Sequence, residues 1–174
     1  MRKKIIAGNW KMNNTITEAA ELVNSIKDGI NTDEVDVVLC PNFVSLSTVS
    51  DLIDETKISL GAQNVYFEDK GAYTGETSVD MLISAGVKYC IVGHSERRAY
   101  FNETDEIVNK KVKKLLEKDL NVLLDGVEER KTYICKLNEI YQNGNEFQLW
   151  RSCICNCSKY IFAIFTRNTN SIIS

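Results

Sequence analysis

No apolar run in this chain is long enough to cross a membrane: "YIFAIF" at 160–165 falls far short of the roughly 20 residues that a spanning helix needs. A basic "RKK" lies near the start, but "IIAGNWKM" behind it lacks the apolar core of a secretion signal, so a cytoplasmic protein is expected. Basic charge is not in excess. A net charge of −3 gives no electrostatic reason to expect nucleic acid or an acidic membrane as a partner. Zinc-site spacing is also missing. "CICNC" would place Cys153, Cys155 and Cys157 on one extended face, but structural zinc sites space their thiols differently, so no metal is expected there. Histidine and proline occur once each, as His94 and Pro41. Acidic residues thin out late: of 24, only Glu139 and Glu146 lie beyond Thr132.

What is present reads as one soluble domain with a sizeable core, 44% hydrophobic and 26% charged over 174 residues. Short β-branched runs recur as "KIIAGNW", "VDVVLCP", "ISLGAQN", "YCIVGHS" and "NVLLDG". They stand about 30 residues apart on average, the length of a strand–helix unit. Cys40 and Cys90 belong to these runs and read as small buried hydrophobes.

Helical stripes fill the gaps. Ala19, Leu22, Val23, Ile26 and Ile30 follow Thr17 at i, i+3, i+4, i+7 spacing, and Leu46, Val49, Leu52 and Ile53 form a second stripe. Ser78 opens a third, with Val79, Leu82 and Ile83 apolar and Gly86 placed to stop it. Thr104 caps a fourth, with Asp105 and Glu106 at its positive end and Lys113, Lys114 and Lys118 toward its negative one. The apolar residues Val108, Val112, Leu115 and Leu116 make "KKVKK" the solvated basic face of that helix rather than a nucleic-acid patch. Strands apolar on both faces that alternate with helices predict a parallel sheet wrapped by helices. Beyond Thr132 the rhythm stops, and four of the six cysteines (Cys135 and the "CICNC" trio) fall there. The expected division is 1–132, strand–helix units, and 133–174, a tail of different character.

Reactive side chains of α/β folds gather where strands end. Asn9 and Lys11 lie just past the first apolar run; His94, Ser95 and Glu96 lie just past the fourth. A lysine and an imidazole at equivalent ends of one sheet would share a pocket, hold an anionic oxygen and polarise a carbonyl.

"AGNWKMN", "GAQNVYFEDKGAYTGE" and "YCIVGHSERRAYFNETDE", in this order and spacing, resemble the signature segments of triosephosphate isomerase, from Met1 to about Leu124. The resemblance implies an α/β fold of the (β/α)₈ TIM-barrel family, whose members run to about 250 residues. Here it would be an incomplete barrel of about five βα units followed by an irregular tail. The resemblance implies interconversion of dihydroxyacetone phosphate and glyceraldehyde 3-phosphate in glycolysis and gluconeogenesis, with no cofactor and no metal. Asn9 and Lys11 match substrate-binding residues, the ammonium facing the phosphate and the forming enediolate. His94 matches the neutral imidazole that polarises the carbonyl, a tuning for which this family is itself the standard example. Glu96 matches a supporting carboxylate. Thr74, Gly75 and Glu76 match the loop that enters the partner subunit of a homodimer.

The departures shape the expectation. The family's "CVGE" reads "DGVEERKTY" here, with Asp125 at the cysteine position. The family's general base is a glutamate in a "YEPxWAIGTGK" segment; with Pro41 the one proline, that segment has no counterpart in this sequence. Glu128, Glu129, Glu139 and Glu146 are not assigned its role. The expectation is a frameshifted or truncated isomerase, inactive or strongly impaired. The alternatives are a remnant that associates with an intact isomerase chain, or a module that binds a triose phosphate without turnover. "YIFAIF" is the tail segment suited to pair with an open edge of the sheet.

Overall fold

In a computed structural model of the chain, the described residues are 4–124 together with the backbone of 161–163. The boundary expected at 132/133, the four late cysteines and the late glutamates lie outside them.

Five strands alternate with helices in the predicted order. Strand β1 (Lys4–Asn9) leads to helix α1 (Ile16–Ile26), β2 (Val35–Cys40) to α2 (Leu46–Ile53), and β3 (Ile58–Ala62) to α3 (Val79–Ser84). Strand β4 (Tyr89–Val92) is followed by α4 (Ser95–Tyr100), α5 (Asp105–Glu117) and β5 (Asn121–Leu124). Strands β1 to β5 lie side by side in sequence order, all parallel. This is the incomplete (β/α) barrel. Ile161–Ala163 forms β6, antiparallel to β1 with Ala7 opposite Ala163 and Asn9 opposite Ile161. A segment of "YIFAIF" thus occupies the outer edge of β1, as its apolar, β-branched character favours.

Alternation along each strand makes two cores. Leu39, Leu60, Ala62, Val92 and Leu124 face the helices and pack with Val23, Val49, Leu82 and Leu115. Ile5, Ala7, Val38, Cys40, Ile91 and Leu123 point to the opposite face and form a smaller cluster. Gly61 sits on that inner face, where a Cβ would come within 2.4 Å of Cys40 Sγ and 2.9 Å of Val38 Cγ1. Two strands approach there too closely for any side chain. Burial pushes the Cys40 thiol up to about 12 and raises that of Cys90 too, so both stay protonated and act as packing groups.

The helices have the expected stripes, with two corrections. Helix α1 is capped by Thr15: Thr15 Oγ1 accepts from the Glu18 N–H while the Glu18 carboxylate accepts from the Thr15 N–H. Ile83, predicted apolar and inward, is 42% exposed. Lys111, within the run taken as a solvated basic face, is buried, with only 4% of its side chain accessible. It stands three residues after Val108 and four before Leu115, on the inward stripe, and burial there requires a carboxylate partner.

Candidate active site

Parallel strands end on one side of a sheet, so the exits of β1 and β4 open onto the same rim. Asn9 continues the inward parity of Ile5 and Ala7 and is buried at the end of β1. Beyond Trp10 the chain reverses sharply, and Lys11 takes a φ of 54°, the left-handed region that costs an L-residue roughly 1–2 kcal/mol. The neighbours hold it there. Asn9 Oδ1 accepts from the Lys11 N–H at 3.0 Å, and Gln63 Nε2 donates to the Lys11 carbonyl at 2.9 Å. Gln63 Nε2 also donates to the Cys40 carbonyl at 2.9 Å, tying the exits of β1, β2 and β3 together. Strain fixed on both sides is a feature of functional positions.

The exit of β4 carries the other half. Gly93 has φ 73°, and the turn it allows aims His94 at the start of α4. His94 is buried and caps that helix: its Nδ1 accepts from the Glu96 N–H at 3.1 Å. Glu96 Oε2 also lies 3.6 Å from the same nitrogen, which would suggest an ion pair with an imidazolium. The N–H donation decides the matter, because a nitrogen that accepts carries no proton, and 3.6 Å is too long for a hydrogen bond. In the neutral ring the proton is therefore on Nε2, which becomes a donor. Lys11 Nζ closes the arrangement by donating to Glu96 Oε1 at 2.5 Å, across 85 residues of sequence.

The structure thus brings Asn9, Lys11, His94 and Glu96 together. Thr74, Gly75 and Glu76 stand on the separate connection between β3 and α3, exposed at its tip. That tip has a built base: the Tyr66 N–H donates to the Thr77 carbonyl at 2.8 Å, and the Tyr66 and Tyr73 rings meet at 4.8 Å.

Four residues around the site were not singled out from sequence. Gln63 lies just past β3, at the same kind of strand exit as Lys11 and His94, and that rule points to it. Asn64, Glu103 and Lys111 carry no comparable signal except the inward spacing of Lys111. Glu103 is buried, with Oε1 accepting from the Gly93 N–H at 3.0 Å. Its Oε2 accepts from Arg97 Nε at 2.8 Å and Lys111 Nζ at 2.6 Å. Burial by itself would raise the Glu103 carboxyl; the two cations and the Gly93 N–H outweigh it and hold the group below its ordinary value. Burial likewise draws the Lys111 ammonium down, against the pull of Glu103.

Among the described residues no group of three or more His, Cys, Asp or Glu is arranged to hold a metal ion, and no helix there is long and apolar enough to cross a membrane. The arrangement offers a cation at an open rim beside a donor imidazole, suited to an anionic substrate with a carbonyl.

The family model for triosephosphate isomerase matches residues 4–141, past the point at which the motif resemblance fades. A triosephosphate isomerase of Alkaliphilus metalliredigens is 56% identical over 124 residues, covering 71% of this chain and 50% of the relative. Triosephosphate isomerases of Alkaliphilus oremlandii and Clostridium botulinum are 55% identical over 133 residues and 57% over 120, covering 75% and 69% of this chain and 54% and 48% of the relatives. The chain spans about half the length of the relatives it matches. With strand order, strand exits and sequence in agreement, the chain belongs to the triosephosphate isomerase family.

Proposed function

We propose that this chain carries the substrate-orienting and electrophilic half of a triose phosphate isomerase site and lacks the basic half. The observation that carries the reading is the Lys11–Glu96–His94 contact set, which joins two strand exits and leaves His94 Nε2 as a donor. Lys11 holds the phosphate and the enediolate oxygen; Nε2–H polarises the carbonyl; Asn9 and Gln63 fix the lysine backbone. Isomerisation also needs a base that takes a proton from one carbon and returns it to the next, and the sequence offers no counterpart of the family's glutamate segment. No cofactor and no metal enter this chemistry, and the cytoplasm, where triose phosphates are turned over, is the compartment we assign.

Loss of a general base lowers turnover about 10²- to 10⁴-fold. Purified from a host without its own isomerase, the chain is expected to fall at least that far below a full-length relative. A kcat within tenfold of that relative would overturn the reading. Lys11→Ala should weaken triose phosphate binding more than His94→Gln, because the first removes a cation from an anion and the second leaves a neutral donor.

A second reading is favoured by the rim itself. Met12, Val44, Tyr73, Tyr100 and Phe101 are exposed apolar residues in the segments that follow β1, β2, β3 and β4, and the Thr74–Gly75–Glu76 tip is exposed as well. Such a surface fits association with another isomerase chain, as a homodimer or with an intact relative. Co-purification with a tagged relative, lost on Thr74→Arg, is the outcome expected; equal capture by the variant would dismiss it.

A further inference from the structure

We propose that Glu103 and Lys111 are positioning residues that join the two strand exits of the site, fixing the ring of His94 and the backbone of Lys11 through a buried ion pair, the hydrogen bonds it makes to Gly93, Arg97 and Asn64, and the short chain step from Asn64 to Gln63. The inference rests on the functional reading above for its purpose, but its geometry stands independently.

The connection can be followed atom by atom. Glu103 Oε1 takes the N–H of Gly93, the residue immediately before His94. Glu103 Oε2 takes Arg97 Nε, on α4 one position beyond Glu96. One carboxylate therefore grips the chain on both sides of the segment whose Glu96 N–H sets the His94 tautomer. From Glu103 the set runs through Lys111 Nζ to Asn64 Oδ1 at 2.7 Å. Asn64 adjoins Gln63, which donates to the Lys11 carbonyl.

Energetics decide why such a device would be ionic. A buried pair is a poor way to gain stability compared with apolar packing, but breaking one leaves an uncompensated buried charge. It therefore tolerates little displacement of its partners. Lys11 has left-handed backbone that an L-residue holds at a cost, and a neutral, adaptable contact would let it relax. The side chains of Glu103 and Lys111 are only 2% and 4% accessible, so neither is positioned to touch a ligand itself. They act through Gly93, Arg97 and Asn64.

The only histidine gives a direct readout. In ¹⁵N spectra of the full chain, followed over pH, the neutral form of the His94 ring should show two widely separated nitrogens, the unprotonated one being Nδ1. Glu103→Gln keeps an acceptor and the volume but removes the charge that holds Arg97 and Lys111. The two signals are expected to move toward each other as tautomers mix. Asn64→Ala cuts the link to Lys11 and should shift the Lys11 amide while leaving the Gly93 amide in place. Val23→Ala, in the helix-side core, serves as the control for general loss of stability. Unmoved His94 nitrogens in Glu103→Gln, or shifts that Val23→Ala reproduces at equal melting temperature, would overturn the proposal. So would unfolding of both network variants at a temperature where Val23→Ala stays folded. None of these readings needs a substrate, so a failure to bind triose phosphate would refute the functional reading alone.

Discussion

Two lysine–glutamate pairs, one at the rim and one beneath it, use the same chemistry for opposite ends. Lys11 and Glu96 keep 28% and 43% of their side chains accessible, whereas Lys111 and Glu103 keep 4% and 2%. At the rim, water competes for both charges, and such pairs contribute about 0–1 kcal/mol. Lys11 can therefore leave Glu96 for a phosphate at little cost. Beneath the rim, burial leaves little solvent to take over a broken Lys111–Glu103 contact. The upper pair is exchangeable because it is exposed, and the lower pair is fixed because it is not.

The largest break in this comparison should come from removing the lower carboxylate. Glu103→Ala strands Lys111 and Arg97 and frees the Gly93 N–H; loss of one partner of a buried pair typically costs about 3–5 kcal/mol. Urea unfolding checks this, and a loss below about 1 kcal/mol would mean that water or another carboxylate replaces Glu103. For a chain with half a family barrel, a loss of that size is a large share of total stability.

Acid should sharpen the comparison further. The Glu103 carboxyl lies below its unfolded value of 4.5, so the unfolded chain binds the proton first as pH falls. Its contribution is fully present above 4.5 and is lost as pH drops through the lower folded value. Midpoints in urea should fall in that window for the parent chain and fall less steeply for Glu103→Gln. Parallel curves would show that other carboxylates carry the acid sensitivity.

Sequence reading reached the strand–helix rhythm, four helical stripes and the two strand exits, because each is a local pattern repeated over many residues. The apolar stripe of α1 locates the helix but not its first residue, which the T-x-x-E capping signature of Thr15 and Glu18 marks. Helix α4 was not foreseen, since "SERRAY" has no apolar stripe and buries none of its residues. Lys111 was misread by residue type. At 108, 111, 112 and 115 the spacing marks one inward face, and a lysine there implies a buried acid. No rule of spacing names Glu103 as that acid, eight residues back and outside the helix. Charge pairing in a core is decided by tertiary packing, which a periodic pattern does not carry.

The smallest expected change in stability tests the upper pair. Lys11→Gly removes the ammonium and also the side chain that makes a φ of 54° unfavourable. Relief of left-handed strain is worth roughly 1–2 kcal/mol, set against about 0.5–1 kcal/mol for the greater freedom of glycine when unfolded and 0–1 kcal/mol for the lost ion pair. These nearly cancel, so the unfolding free energy should stay within about 1 kcal/mol of the parent. Phosphate affinity should nevertheless drop, because the substitution removes the cation that Asn9 and Gln63 hold at that strand exit. A variant as stable as its parent but unable to hold phosphate would show that the left-handed lysine is kept for the ligand and not for the fold. Equal losses in stability and affinity would make Lys11 a structural residue and the rim pair no different from the one below it.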